Sequence, residues 1–176
     1  MKPRSFNSIM HFFNERWAAR ALNMQVNNEK GPDLLDENKV VEVKFKVVYQ
    51  NKYMHISWRA LEYQMKYGED NLAYWALGTY KMSRQIKDIK TTDMRDAEIF
   101  VLERKLFLVS WDWIYQFPAY RQKGKTEKSE WDNTIRFPKA RLLPRTLETY
   151  QVSGGYVHLT EGVDRDNFRV NGQPMS

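Results

Sequence analysis

Residues 31–46 read Gly-Pro-Asp-Leu-Leu-Asp-Glu-Asn-Lys-Val-Val-Glu-Val-Lys-Phe-Lys, and the β-branched half of this stretch runs on to Tyr49. Strand geometry sends successive side chains to opposite faces. Val41, Val43, Phe45, Val47 and Tyr49 therefore share one face, and Glu42, Lys44, Lys46 and Val48 the other. Glu42 and Lys44 point the same way, about 6–7 Å apart at about 3.3 Å per residue. Asp36-Glu37-Asn38 is turn chemistry between two apolar runs, so the chain reverses there and returns Asp33 beside Glu42. One hairpin thus gathers two carboxylates and an ammonium in one corner.

That trio suits metal-assisted phosphodiester hydrolysis. Two hard oxygen ligands fit Mg²⁺, which keeps several waters and is completed by substrate phosphate. Such an ion lowers the pKa of a bound water, and a lysine beside the ligand can orient that water or offset developing charge. Glu-x-Lys on its own reads as the solvated face of a surface strand. The Pro-Asp pair before it, and a helix upstream that carries Glu15, favour the metal reading. A glycosidase pair is disfavoured because Lys44 would depress the Glu42 pKa, the opposite of what a neutral general acid needs.

On Pro32-Asp33 and Glu42-Val43-Lys44 the chain resembles the PD-(D/E)XK nuclease superfamily. The resemblance covers roughly residues 5–115 as an order of elements and only a few residues as motif. It implies a restriction-endonuclease-like α/β fold, a mixed central sheet flanked by helices. It also implies that Asp33, Glu42 and the main-chain carbonyl of Val43 ligate a divalent metal while Lys44 helps to activate water. Glu15, in His-Phe-Phe-Asn-Glu-Arg-Trp, stands where many members carry a helical glutamate, and Gln64 where many carry a glutamine. Gln64 and Tyr67 are one residue closer than the Gln-x-x-x-Tyr of an exonuclease branch, a departure from that branch.

The chain has 176 residues, enough for one well-buried core, and its 42% hydrophobic and 14% aromatic content is that of a folded protein. No apolar run reaches the length of a membrane span and no signal-peptide core follows Lys2 and Arg4, so a soluble intracellular protein is expected. Cysteine is absent, which excludes disulfides, thiolate zinc sites and iron–sulfur clusters. Gly-x-Ser-x-Gly elbows and glycine-rich phosphate loops are absent too. His11, His55 and His158 lie far apart without metal-ligand spacing, so a zinc hydrolase is not expected, and His55 reads as structural or exposed.

Five of the six net positive charges fall between Arg121 and Arg145, where eight Lys/Arg stand against three Asp/Glu. This segment, punctuated by glycine and proline, reads either as a phosphate-tracking element or as solubilising charge. Lys46, Gln64, Arg121, Lys123, Lys125 and Lys128 are the candidate nucleic-acid contacts.

Along the chain, Ile9, Met10, Phe13, Trp17 and Ala21 form a helical stripe with Glu15 off it, and Gly31-Pro32 breaks that helix before the first core strand. Tyr53–Ile56 is a short strand. Ser57 caps a helix that buries Trp58, Leu61 and Met65 and ends at Gly68, leaving Gln64 outward or at the active edge. Leu72–Tyr80 is apolar on both faces, as in a strand covered on both sides. Residues 83–97 form a polar, partly helical excursion. Two short strands, 99–102 and 106–109, follow, and Ser110 caps a short helix over 111–115. A hairpin turns at Gly154-Gly155, and residues 161–176 read as a loosely held tail.

The expectation is a nuclease core over 1–120 with a basic extension, 121–176, packed on the same domain. The leading function is a metal-dependent deoxyribonuclease, a Mg²⁺-dependent DNA endonuclease with Mn²⁺ able to substitute, structure-selective (resolvase-like) or associated with viruses or mobile elements, with restriction, homing and repair roles also open, acting as a homodimer or higher symmetric oligomer. RNA is open as a substrate on the same chemistry. The alternative is a non-catalytic nucleic-acid-binding module on the same fold.

Overall fold

The computed structural model describes residues 6–48, 53–68, 72–85, 91–117, 119–121, 133–138 and 144–175. Lys123, Lys125, Lys128 and the turn at 50–52 lie outside them.

Helix α1 spans Phe6–Leu22 and contains neither glycine nor proline. It buries Met10, Trp17, Ala18, Ala21 and Leu22 together with Ala19, on the side that the single-stripe reading left open. The helix closes in a Schellman arrangement around Asn23 at φ 53, with the Met24 amide donating to the Ala19 carbonyl at 2.9 Å and Asn23 to Arg20 at 3.3 Å. Asparagine tolerates this left-handed conformation, so the chain leaves α1 in a fixed direction.

From there β1 (Gln25–Val26) pairs antiparallel with β2 (Leu34–Leu35), and β2 pairs antiparallel with β3 (Lys39–Val47). The turn between β2 and β3 holds the Asp36–Lys39 ion pair. Strand β5 (Leu72–Met82) runs parallel to β3 after α2 (Trp58–Gly68), and β6 (Val101–Ser110) returns antiparallel to β5. Sheet order is β1-β2-β3-β5-β6-β10-β9-β11, with β9 (Thr146–Val152), β10 (Gly155–Thr160) and β11 (Gln173–Pro174) completing it. The arrangement is a mixed eight-stranded sheet flanked by helices. A second sheet orders β4 (Tyr53–Ser57), β8 (Asn133–Pro138) and β7 (Ala119–Arg121).

Strand β5 lies between β3 and β6, and its Trp75, Ala76 and Leu77 are buried. One core gathers α1 with Val41, Val43, Ala76, Leu106 and Leu108; another sets Trp75, Leu77 and Val109 against Leu61 of α2 and Ile114 of α3 (Trp111–Tyr115). Each fully enclosed aliphatic side chain contributes about 1.5–3 kcal/mol, so the two layers together fix the sheet between the helices. No described helix is long and apolar enough to cross a membrane.

Several local expectations are corrected. In place of two short strands there is one, Val101–Ser110, preceded by a 3₁₀ segment over Thr91–Phe100 that takes in residues 99 and 100. Ser57 does cap α2, accepting from the Ala60 amide at 3.2 Å, whereas Ser110 precedes α3 without a side-chain cap bond. Met65 is 47% exposed; Gln64 occupies the inward position instead. The 161–176 segment is no loose tail: Phe168 is buried edge-to-face on Tyr74, the Asn171 amide donates to Ala21 of α1, and β11 pairs with β9. Its aromatic anchor and strand pairing were hidden among polar residues. Residues 146–174 thus complete the main sheet.

Candidate metal centre

The pairing of Leu34 with Val41 sets Asp33 opposite Glu42 at the open end of the hairpin. The Val43 amide donates to Asp33 Oδ2 at 2.8 Å, and the Asp33 backbone lies close enough to the Glu42 carboxylate to favour its charged form. Gly31, at φ 139, gives the bend before Pro32 that a side chain would strain. Asn27 then holds the segment twice, its Nδ2 donating to the Pro32 carbonyl at 2.9 Å and its amide to the Asp33 carbonyl at 2.8 Å. Sequence reading missed Asn27; its signal was an asparagine four residues before a Gly-Pro turn.

Helix α1 supplies the other wall. Glu15 stands against the Asp33 side chain, and His11, one turn earlier, places Nε2 2.5 Å from Glu15 Oε1. One ligand atom from each of His11, Glu15 and Asp33 lies within 4.8 Å of the other two. His11 corrects the expectation that no histidine has ligand spacing. His11 and Glu15 are four apart on one helix face, and the other member of the group comes from a loop that sequence spacing does not reveal.

Asp33, Glu15 and Glu42 crowd negative charge into a partly buried corner. Burial, followed by the Glu15 charge, pushes Asp33 up to about 7, while burial and then Asp33 push Glu42 up to about 9. Glu42 also leaves Oε2 enclosed and unpaired among the described residues. The His11 imidazole is raised, first by its hydrogen bond with Glu15. Lys44 acts on the same group from β3, lowering both Glu42 and His11 through its charge. Asp33 and Glu42, driven toward protonation by burial and then by neighbouring charge, with a buried oxygen of Glu42 unsatisfied among the described residues, are in the state that a divalent cation relieves. Carboxylate oxygens suit Mg²⁺ and Mn²⁺, and the added imidazole favours the softer of these. The donor set fits such an ion, held by Asp33, Glu15 and His11 with Glu42 adjoining.

Beside this group opens a cleft of about 390 Å³ whose lining includes Asn7, His11, Lys44, Phe45, Lys46 and Tyr80. Burial, then the neighbouring Lys44, pushes the Lys46 ammonium below its ordinary value. Gln64 does not reach this surface. It is fully buried, with Nε2 donating to the Tyr74 carbonyl at 2.6 Å and Oε1 unpaired among the described residues, because α2 turns its Leu61–Gln64 face onto β5. The expected nucleic-acid contact at Gln64 is therefore corrected to an interior one. Arg121 lies in β7, in the second sheet.

The chain matches no protein-family model, no curated protein and no solved structure.

Proposed function

We propose that this chain is a divalent-metal-dependent nuclease that hydrolyses DNA phosphodiester bonds. The observation that carries the reading is the meeting of Glu15, Asp33 and Glu42 from a helix, a loop and a strand, with His11 and Lys44 at their border and a cationic cleft alongside. The order α1, β2–β3 hairpin, α2, β5, with β3 and β5 parallel, is compatible with the restriction-endonuclease-like arrangement that the motif resemblance implies.

In this reading Asp33, Glu15 and His11 would hold the ion, with Glu42 beside them and the Val43 carbonyl as the further ligand that the motif resemblance implies. The bound ion supplies a water of lowered pKa and offsets charge on the phosphate. Lys44, on the same face of β3 as Glu42, orients that water or stabilises the charge that develops on the phosphoryl oxygens. Lys46 and the basic 121–145 segment serve to attract the backbone.

Incubation with supercoiled, linear, branched and single-stranded DNA, with Mg²⁺ or Mn²⁺ and with chelator, tests it. Metal-dependent products ending in 5′-phosphate, abolished in Asp33→Ala, Glu42→Ala and Lys44→Ala, are expected. Products that persist in chelator, or in Asp33→Ala, would remove the centre from the chemistry.

A further inference from the structure

We propose that the cleft next to the carboxylates is a single-nucleotide subsite, which takes one unpaired nucleotide of a DNA strand with its phosphate between Lys44 and Lys46. Resting on the nuclease reading, this names the substrate class as single-stranded or frayed DNA.

Size is the first argument. At about 390 Å³ the cleft lies at the lower end of the range of small-molecule sites, about 300–1,000 Å³, which suits a nucleotide. A duplex presents its bases stacked and paired, and reaching such a pocket requires that one be taken out of the stack. A strand that is already unpaired avoids that cost.

Charge is the second. Lys44 and Lys46 alternate along β3 onto one face, about 6–7 Å apart, and both line the cleft. Among the described residues neither stands in an ion pair with a carboxylate. Two like charges facing one concavity repel each other, and a phosphodiester placed between them, with its single negative charge, offsets that repulsion.

The third argument is the mixed wall. Phe45 and Tyr80 give the cleft an apolar side, while Asn7, at the start of α1, offers an amide with both donor and acceptor. A nucleotide needs these three things: cations for phosphate, a dry surface for the base face, and a polar group for its edge. From the cleft the strand passes directly to His11 and Lys44, which border the metal group.

Fluorescence anisotropy with a labelled oligothymidine of about 12 nucleotides, in Ca²⁺, tests the subsite against a hairpin-capped duplex of equal length. Single strand is expected to bind about tenfold more tightly than capped duplex, and Lys46→Ala to weaken single-strand binding about tenfold while lowering the salt slope by about 0.7. Lys46→Arg should restore binding, and calorimetric Mn²⁺ uptake by Lys46→Ala should equal that of the parent protein. Capped duplex binding as tightly as single strand, or unchanged affinity in Lys46→Ala, with Mn²⁺ uptake intact, overturns the subsite and leaves the metal centre standing. Failure of the parent protein to take up Mn²⁺ overturns the nuclease reading, and the subsite with it.

Discussion

Asp33 and Val43 are joined across the hairpin by a hydrogen bond from the Val43 amide to Asp33 Oδ2, at 2.8 Å. The carboxylate therefore has two duties: one oxygen closes the strand edge, and the side chain as a whole stands beside Glu15 and His11. Two substitutions separate them. Asp33→Asn keeps an oxygen for the Val43 amide and removes the charge; Asp33→Ala removes both. Both should lose Mn²⁺ uptake and cleavage. In chelator, Asp33→Ala should be less stable by about 1–3 kcal/mol, the cost of a partly buried amide left unpaired. Asp33→Asn should unfold at or above the parent temperature at pH 8, since it relieves charge crowding. Calorimetric titration and thermal unfolding read the two effects separately.

Stability of the metal-free protein should fall as pH rises. Asp33 at about 7 and Glu42 at about 9 bind protons more tightly in the folded chain than in the unfolded one, where carboxylates titrate near 4. Wherever the folded state holds more protons, unfolding free energy decreases with pH, so the loss begins above about pH 4 and continues to about pH 9. Saturating Mn²⁺ should remove most of this slope, because the cation replaces the protons. Denaturant midpoints between pH 5 and 9, with chelator and with Mn²⁺, check both the sign and the rescue. A metal-free midpoint that rises across this range would contradict the crowding of the acids.

His11 touches Glu15 and feels the charges of Asp33 and Lys44. As an imidazole ligand it should bias the centre toward Mn²⁺ over Mg²⁺. His11→Ala is expected to weaken Mn²⁺ binding about 10–100-fold, the scale on which loss of groups supporting a metal is felt, while changing Mg²⁺ binding less. Metal titrations of the parent and variant, followed by cleavage rates in each metal, decide whether selectivity moves. Equal losses for both metals would assign His11 to holding Glu15 rather than to the ion.

Alternation along residues 40–49 was enough to place Glu42 and Lys44 on one face, and turn chemistry at 36–38 was enough to return Asp33 to them. Both are local signals that packing does not override. The double-sided apolarity of Leu72–Tyr80 likewise put β5 inside the sheet. What sequence spacing did not carry was distance in space. His11 precedes Asp33 by more than twenty residues, and only the Schellman turn at Asn23 and the Asn27 clamp swing the loop back under α1. Gln64 misled for another reason: a polar side chain at an inward helical position looks outward in periodicity until its backbone partner, here the Tyr74 carbonyl, is known. Phe168 was a single aromatic among polar neighbours, yet it docks the C-terminal segment onto Tyr74.

Arg104 of β6 links the core to the site, and its loss should reach both. It is 2% exposed, forks onto both carboxylate oxygens of Glu98, and donates from Nε to Asn14 Oδ1 at 2.8 Å. Asn14 immediately precedes Glu15 on α1, so the guanidinium ties the helix that carries His11 and Glu15 to the sheet. Its backbone is equally constrained, since a Cβ on Gly155 of the paired strand would lie 1.9 Å from the Arg104 carbonyl oxygen. Arg104→Ala leaves Asn14 buried and Glu98 half-buried without their partner, and should cost about 1.5–3 kcal/mol, as lost charge-assisted hydrogen bonds do. Because α1 then loses its tether next to Glu15, Mn²⁺ affinity should also drop, measured below the unfolding temperature of the variant. Asn14→Asp, which keeps an acceptor for Nε, should preserve most of the stability. If Arg104→Ala bound Mn²⁺ with parental affinity while folded, α1 would owe its position to Trp17 and the alanine face alone, and the tether would have no part in the centre.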